Sequence, residues 1–391
     1  MGTKQKNSKY KKRLKALSLF ANIGVAEAYL KDIGVDVVVA NEFVEKRAEL
    51  YQAIYPDCDM ICGDITDPKI SKKILKRAQE EKIDIVMATP PCQGMSTAGK
   101  QCEGDERNAL IIPTVEIIKK LCPKYVFIEN VPLFLQTSIQ YLGNKINIPD
   151  FLCSILGEEY HINFNLLNTA DYGVPQSRER AITLMTRKRP KKSEWKAPSP
   201  NDKKTTLADA IGHLPKLDPF VKDVSEEELL GLFPEFYKRK AKALKISKWH
   251  CPPVHIKRQV VAMQHTPTGK TAFDNPVYFP RKENGDPVKG YKNTYKRQNW
   301  DTPAYTITMD NRKISSQNNV HPGRLEYVNS DGEEIYSDPR TLTTYELMLA
   351  SSLPSNWPVP QNTSEPLLRR LIGEGIPPLF VKRIFESLIN G

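Results

Sequence analysis

Thr89-Pro90-Pro91-Cys92-Gln93-Gly94 follows the apolar run Ile83-Asp84-Ile85-Val86-Met87-Ala88, so one thiol stands where a buried strand hands over to a loop. A thiolate is a covalent nucleophile, and one that adds to C6 of a cytosine ring would turn the ring into an enamine able to react with an electrophile at C5. Cys is also among the most buried residue types, so simple burial is the ordinary reading of a lone Cys after a strand. Its surroundings decide between the two.

Those surroundings are set by strands and crossover helices. The first 130 residues alternate short apolar runs with amphipathic stretches, the pattern of a parallel sheet in an α/β fold. The runs are 16–20, 35–40, 60–62, 83–88 and 125–128, with helix-like segments at 45–54 and 71–80. Gly24, Glu42, Asp64, Cys92 and Glu129 stand just beyond successive runs. In an open parallel sheet the carboxyl ends of the strands share one edge, and ligands bind there, so these five residues converge on one crevice. Each alone has a plainer reading, since an acid after a strand commonly caps a helix.

Leu19-Phe20-Ala21-Asn22-Ile23-Gly24 reads as a strand entering a tight turn, with Asn22 tolerating positive φ nearly as well as Gly. Glu42 lies where an acid after the second strand commonly binds ribose hydroxyls. Together they point to an adenosine-containing cofactor; the missing Gly-x-Gly-x-x-Gly pattern disfavours a dinucleotide. Residues 161–168 and 179–186 read as strands flanking the loop from Thr169 to Gln176, and helical periodicity returns at 344–351 and 378–388.

A chain of 391 residues can bury a large core, and no run is long and apolar enough to span a membrane. The Lys-rich start lacks an apolar signal core, so a cytoplasmic location is expected. Seven Cys, none in a Cys-x-x-Cys pair and with no His at zinc spacing, argue against a disulfide framework or structural zinc. A net charge of +11 suits a polyanionic partner and equally a Lys-rich solvated surface. The six His are scattered and read as structural.

Phe20-Ala21-Asn22-Ile23-Gly24, Asn41-Glu42, Gly63-Asp64, Pro90-Pro91-Cys92-Gln93, Ile128-Glu129-Asn130-Val131 and the segment from Tyr172 to Arg180 resemble the ordered motifs of the cytosine-C5 DNA methyltransferases. Arg340-Thr341-Leu342-Thr343 and Ile372-Gly373-Glu374-Gly375-Ile376-Pro377-Pro378 resemble that family's closing motifs. Only about 190–335 lacks close resemblance. The resemblance implies a doubly wound, Rossmann-like α/β domain that uses S-adenosyl-L-methionine and no metal, with a smaller target-recognition domain inserted. The expected divisions are 1–190 catalytic and cofactor-binding, 191–335 target recognition, 336–365 hinge, and 366–391 a C-terminal helix returning to the catalytic domain.

Carried over residue by residue, the resemblance makes Cys92, Glu129, Arg178 and Arg180 the catalytic set. Cys92 would attack C6, Glu129 would hold N3, and Arg180 would hold O2, with Arg178 supporting the loop. Phe20, Asn22, Gly24, Glu42, Asp64, Ile65 and Pro90 would bind the cofactor, Phe20 packing on adenine, Glu42 binding ribose and Asp64 the adenine amino group. The glycine-bearing stretch 94–108 would close over a flipped base. Residues 292–300 and 311–313 mix cations, amides and aromatics suited to phosphates or base edges.

The implied partner is double-stranded DNA met by a monomer, with a restriction endonuclease as functional counterpart in a bacterial cytoplasm. Two alternatives are a transfer-RNA cytosine-C5 methyltransferase and an inactive DNA-binding relative. The chain departs from the family pattern at Asn22 and Val25, where Gly is usual, and at Glu374, where Asn is usual. Val25 would narrow the cofactor pocket and Glu374 would alter the contact of the C-terminal helix with the sheet.

Overall fold

The computed structural model describes residues 13–91, 106–190, 193–275, 278, 281–282, 284–286, 293–314 and 317–390. Its centre is a seven-stranded sheet. Strands β1 (Leu14–Leu19), β2 (Val35–Glu42), β3 (Asp59–Cys62), β4 (Ile85–Ala88) and β5 (Tyr125–Asn130) are followed by a separate hairpin, β6 (Ser138–Tyr141) and β7 (Asn144–Asn147), and then by β8 (Tyr160–Asn168) and β9 (Glu179–Arg187). The sheet order is β3-β2-β1-β4-β5-β9-β8. The first five run parallel, while β9 is antiparallel to β5 and to β8. Strand order reverses between β1 and β4, which opens a crevice at their carboxyl ends.

Successive residues of the central strands bury opposite faces. On β4, Val86 and Ala88 join the core beneath α2 (Pro68–Glu81), α3 (Ile111–Leu121) and α4 (Ile148–Leu156), whereas Ile85 and Met87 face the other layer. Both faces being apolar, the strands read as near-continuous hydrophobic runs. The second layer is built mainly by the last helix, α11 (Pro378–Asn390), whose Phe380, Val381, Ile384 and Phe385 pack on Ala16, Phe127 and Leu184. The β1–β2 crossover carries only a 3-10 turn at Lys31–Ile33, so the end of the chain supplies the cover that this crossover lacks.

Helix α1 (Glu45–Ile54) occupies the span expected of it. Its Leu50 and Ile54 meet Ile23 and Val25 of the turn after β1 in a separate core. The same core takes in α5 (Leu207–Ile211), α9 (Thr344–Ala350) and α10 (Glu365–Glu374). The back of the turn after β1 is therefore supported by C-terminal helices. Between α5 and α9 lie β10 (Phe220–Val221), α6 (Glu226–Leu232), α7 (Phe236–Ile246), β11 (Val254–His255), α8 (Lys257–Gln264), and the hairpin β12 (Leu325–Val328) with β13 (Glu334–Tyr336). Helices α6, α7 and α8 share a small core of Val221, Leu229, Phe233, Phe236 and Val260.

Several polar residues expected at the surface of that segment are interior. Arg297 is fully buried and donates to the carbonyls of Met263, His321 and Ser337. Asn311 donates to the carbonyls of Thr308 and Arg369 and accepts from Arg369 Nε. Gln298 is buried as well, whereas Arg312 and Lys313 stay exposed. Arg340 pairs in bidentate fashion with Glu346 at 2.8 and 2.9 Å and with Asp338 at 2.9 Å. His321 lies beside both acids. No helix among the described residues is long and apolar enough to cross a membrane.

Burial, reinforced by the nearby guanidinium groups, pushes the His255 and His321 imidazoles down to about 4 from an ordinary 6.5. Both stay neutral in the fold while the unfolded chain takes up protons below 6.5. The contribution of these two groups to stability is therefore full above pH 6.5 and falls as pH drops toward 4, by up to about 3 kcal/mol per imidazole. The denaturant midpoint of the wild-type chain relative to that of His321→Asn should fall across that window.

Candidate active site

The turn after β1 is strained and tightly held. Phe20 (φ 59°), Asn22 (φ 51°) and Gly24 (φ 77°) all take left-handed conformations. For a bulky residue such as Phe20 this costs about 1–3 kcal/mol and persists only where neighbours over-determine it. They do so here: Thr89 Oγ1 donates to the Phe20 carbonyl at 3.1 Å, the Ala21 amide donates to Asn41 O at 2.9 Å, and the Asn22 amide donates to Glu42 Oε2 at 2.9 Å. The other Glu42 oxygen accepts from the Val44 amide at 2.9 Å. Glu42 is the last residue of β2, so backbone donors from two loops fix its carboxylate at the sheet edge.

A Cβ on Gly24 would lie 2.1 Å from the Tyr55 ring. Asn22 Oδ1 is buried without a hydrogen-bond partner, an acceptor awaiting a donor. Phe43, next after Glu42, is 67% exposed, an uncovered aromatic beside the crevice. Strained backbone, an orphaned acceptor and an open apolar wall fit an adenosyl cofactor. Asp64 is exposed and accepts from the amide and hydroxyl of Thr66, while Ile65 is buried beneath it.

At the carboxyl end of β4, the carbonyl of Pro90 accepts from buried Asn130 Nδ2 at 3.0 Å, which ties the end of β5 to the start of the next loop. Cys92 and 93–105 lie outside the described residues, and with them the thiol and most of the expected closing segment. Glu129 lies inside β5 rather than beyond it, and the β5–β9 register sets it opposite Ile182. Arg180, two residues from Ile182, shares that face, and its Nε meets Glu129 Oε1 at 2.8 Å. The side chains are only 11% and 12% exposed, so acid and guanidinium form a largely desolvated pair at the edge of the crevice.

Arg178, expected to support the loop beside Arg180, stands apart from the Glu129–Arg180 pair. It is buried, and its guanidinium donates to the carbonyls of Ile307 at 2.7 Å, Gly373 at 3.0 Å and Glu374 at 3.4 Å. Arg178 precedes β9, which begins at Glu179, so the alternation that aligns Arg180 with Ile182 does not extend to it, and its guanidinium is turned into the interior. Val25 is likewise turned inward, against Gly375, so it does not narrow the cofactor crevice. Glu374 bridges Arg47 of α1 at 2.8 Å and Arg370 at 2.9 Å, joining α10 to α1 rather than to the sheet.

Sequence reasoning missed the segment that holds the Arg180 loop. Ala304 exchanges backbone hydrogen bonds with Pro175 and Ser177, the Ile307 amide donates to Gln176 Oε1, and Thr306 Oγ1 donates to Ser177 O. A strand-like pairing this short leaves no periodic signal. Arg178→Ala should lower unfolding free energy by about 3 kcal/mol or more, because buried carbonyls lose charged donors. Denaturant titration checks this, and Arg178→Lys should recover only part of the loss.

The profile described as C-5 cytosine-specific DNA methylase matches residues 14–390. The chain is 44% identical over 386 residues to the type II methyltransferase M1.HgaI of Avibacterium volantium, covering 97% of this chain and 99% of the relative. It is 27% identical to the type II methyltransferase M1.HphI of Haemophilus parahaemolyticus, over 96% of this chain and 86% of that one. Among solved structures, a prophage-encoded E. coli protein assigned as a DNA modification methyltransferase shares the fold, with a TM-score of 0.67 at 19% identity over 96% of this chain and 99% of that one. The strand order, the edge bearing Glu42, Glu129 and Arg180, and a match of this extent establish that the chain belongs to the C-5 cytosine-specific DNA methylase family.

Proposed function

We propose that the chain transfers a methyl group from S-adenosylmethionine to C5 of a cytosine flipped out of duplex DNA, with Cys92 as nucleophile, as the modification partner of a restriction endonuclease. The observation that carries this reading is the Glu129–Arg180 pair, set at the sheet edge where β4 leads toward Cys92. Kinship to a type II methyltransferase over nearly the whole of both chains supports the restriction–modification setting.

The target ring must lose charge density while sulfur adds. The Cys92 thiolate forms an S–C6 bond, and the displaced π pair spreads over C5, C4 and N3. Glu129 holds a proton at N3 and Arg180 donates to O2, so the charge develops against fixed, desolvated partners rather than water. When bound, S-adenosylmethionine supplies a methyl group on an electrophilic sulfonium. The ring's electron pair takes that methyl at C5, and the pair of the broken S–CH3 bond stays on the sulfur, which leaves as a neutral thioether. Loss of the C5 proton to a solvent-linked base re-forms C5=C6 and expels Cys92 as thiolate.

On the cofactor side, Phe20, Asn22, Gly24 and Glu42 form the cradle, with Asp64, Ile65 and Pro90 at its margins. We assign target recognition to 191–335, where exposed Arg312 and Lys313 are suited to phosphate contacts. The enzyme acts as a monomer on DNA in the cytoplasm.

Expression in a methylation-free bacterial host followed by bisulfite sequencing should reveal one methylated sequence context, lost with Cys92→Ser. Unmethylated DNA alongside methylated transfer RNA would transfer the reading to RNA. With the context known, Glu129→Gln should lower kcat by about 10²–10⁴ in steady-state assays while leaving S-adenosylmethionine affinity within a small factor.

A further inference from the structure

Glu27 lies three residues beyond Gly24, beneath the cofactor turn, and takes no part in the chemistry above. It is 4% exposed, and both carboxyl oxygens are buried without a hydrogen-bond partner. A Cβ on Gly24 would lie 2.7 Å from Glu27 Oε2, so the carboxyl is packed directly against the underside of the turn. On the same side of Gly24, Tyr55 donates its hydroxyl proton to the Gly24 carbonyl at 2.5 Å and accepts from Trp357 Nε1 at 3.3 Å. An acid and a phenol thus pack together against the turn.

The groups facing Glu27 are Ser18 from β1, Tyr51 and Tyr55 from α1, and Cys58 from the loop before β3. The Ser18 and Tyr51 hydroxyls oppose part of the effect of burial on the carboxyl, and Tyr51 also donates to Cys58 Sγ at 3.7 Å. No lysine or arginine among the described residues pairs with the carboxyl. A carboxylate in such a place would be a buried charge without a counterion, whereas a neutral acid can donate to Ser18 or Tyr51. Burial pushes the Glu27 carboxyl up to about 8 from 4.5.

Resting on the cofactor reading above, we propose that Glu27 is a positioning residue for S-adenosylmethionine: as a neutral acid it supports the Asn22–Gly24 turn in its binding shape, and ionisation of the carboxyl releases that shape. Because the acid is neutral below about 8 in the fold, the support is present below that pH and is lost as pH rises through it. The fold's own stability follows the same sign, being highest where the unfolded chain also keeps the proton and falling as pH rises toward 8.

Isothermal titration of S-adenosylmethionine into the full chain, without DNA, from pH 6.5 to 9.5 tests this. The cofactor's own α-amino group titrates near 8, so the readout is the ratio of wild-type Kd to that of Glu27→Gln, a neutral near-isostere. The ratio should be near one at pH 6.5 and rise about tenfold per pH unit above 8, and Glu27→Met should give the same rise if the glutamine variant fails to fold. A ratio that stays constant with pH for both variants overturns the proposal. Absence of cofactor binding by the wild-type chain at pH 6.5 overturns the cofactor reading itself. Binding without C5 methylation overturns the proposed reaction and leaves this titration standing.

Discussion

The antiparallel joint between β5 and β9 is the constraint on which the site depends. A sixth parallel strand at that position would direct its amino end, and the loop before it, to the far edge of the sheet. Because β9 runs the other way, its first residues arrive at the carboxyl edge of β1 to β5, and the register sets Arg180 diagonally across from Glu129. Acid and guanidinium come from segments some fifty residues apart, yet their geometry follows from backbone hydrogen bonds, the least adjustable part of the fold. The loop preceding β9 is then clamped by Arg178, Gln176 and the backbone of Ala304, so the Arg180 side chain starts from a rigid base.

The cofactor turn follows a similar logic. Phe20 and Asn22 hold conformations that an isolated turn would avoid, and Thr89, Asn41 and Glu42 hold them there. Behind the turn, Ile23 and Val25 are packed against α9 and α10. Helix α11 meanwhile covers the sheet face that the β1–β2 crossover leaves open. The C-terminal helices therefore shape the turn after β1 from behind.

Much of this was legible in the residues. The strands and α1 lie close to their expected spans because apolar runs bounded by polar turns admit few other readings. The convergence of Gly24, Glu42, Asp64 and Glu129 on one edge needed only the parallel-sheet rule. The partners of Arg178 were not legible, because sequence shows spacing and not which way a side chain points at a strand entry. The segment around Arg297 and Asn311 misled for a different reason. A region with few regular strands cannot satisfy its carbonyls through backbone ladders, so Arg297, Arg340, Arg369 and Asn311 are drawn inside as donors. Polar composition there reads as surface and is partly core.

In the proposed reaction this edge presents the thiol of Cys92 to a pyrimidine whose far side is held by Glu129 and Arg180. A duplex carrying 5-fluorocytosine at the methylated position blocks loss of the C5 substituent and traps the covalent complex. Mass spectrometry of its proteolytic peptides tests the claim most directly. The account predicts a nucleotide adduct on Cys92 alone, formed only with S-adenosylmethionine present; an adduct on another cysteine, or none on a duplex that the enzyme methylates, would contradict it.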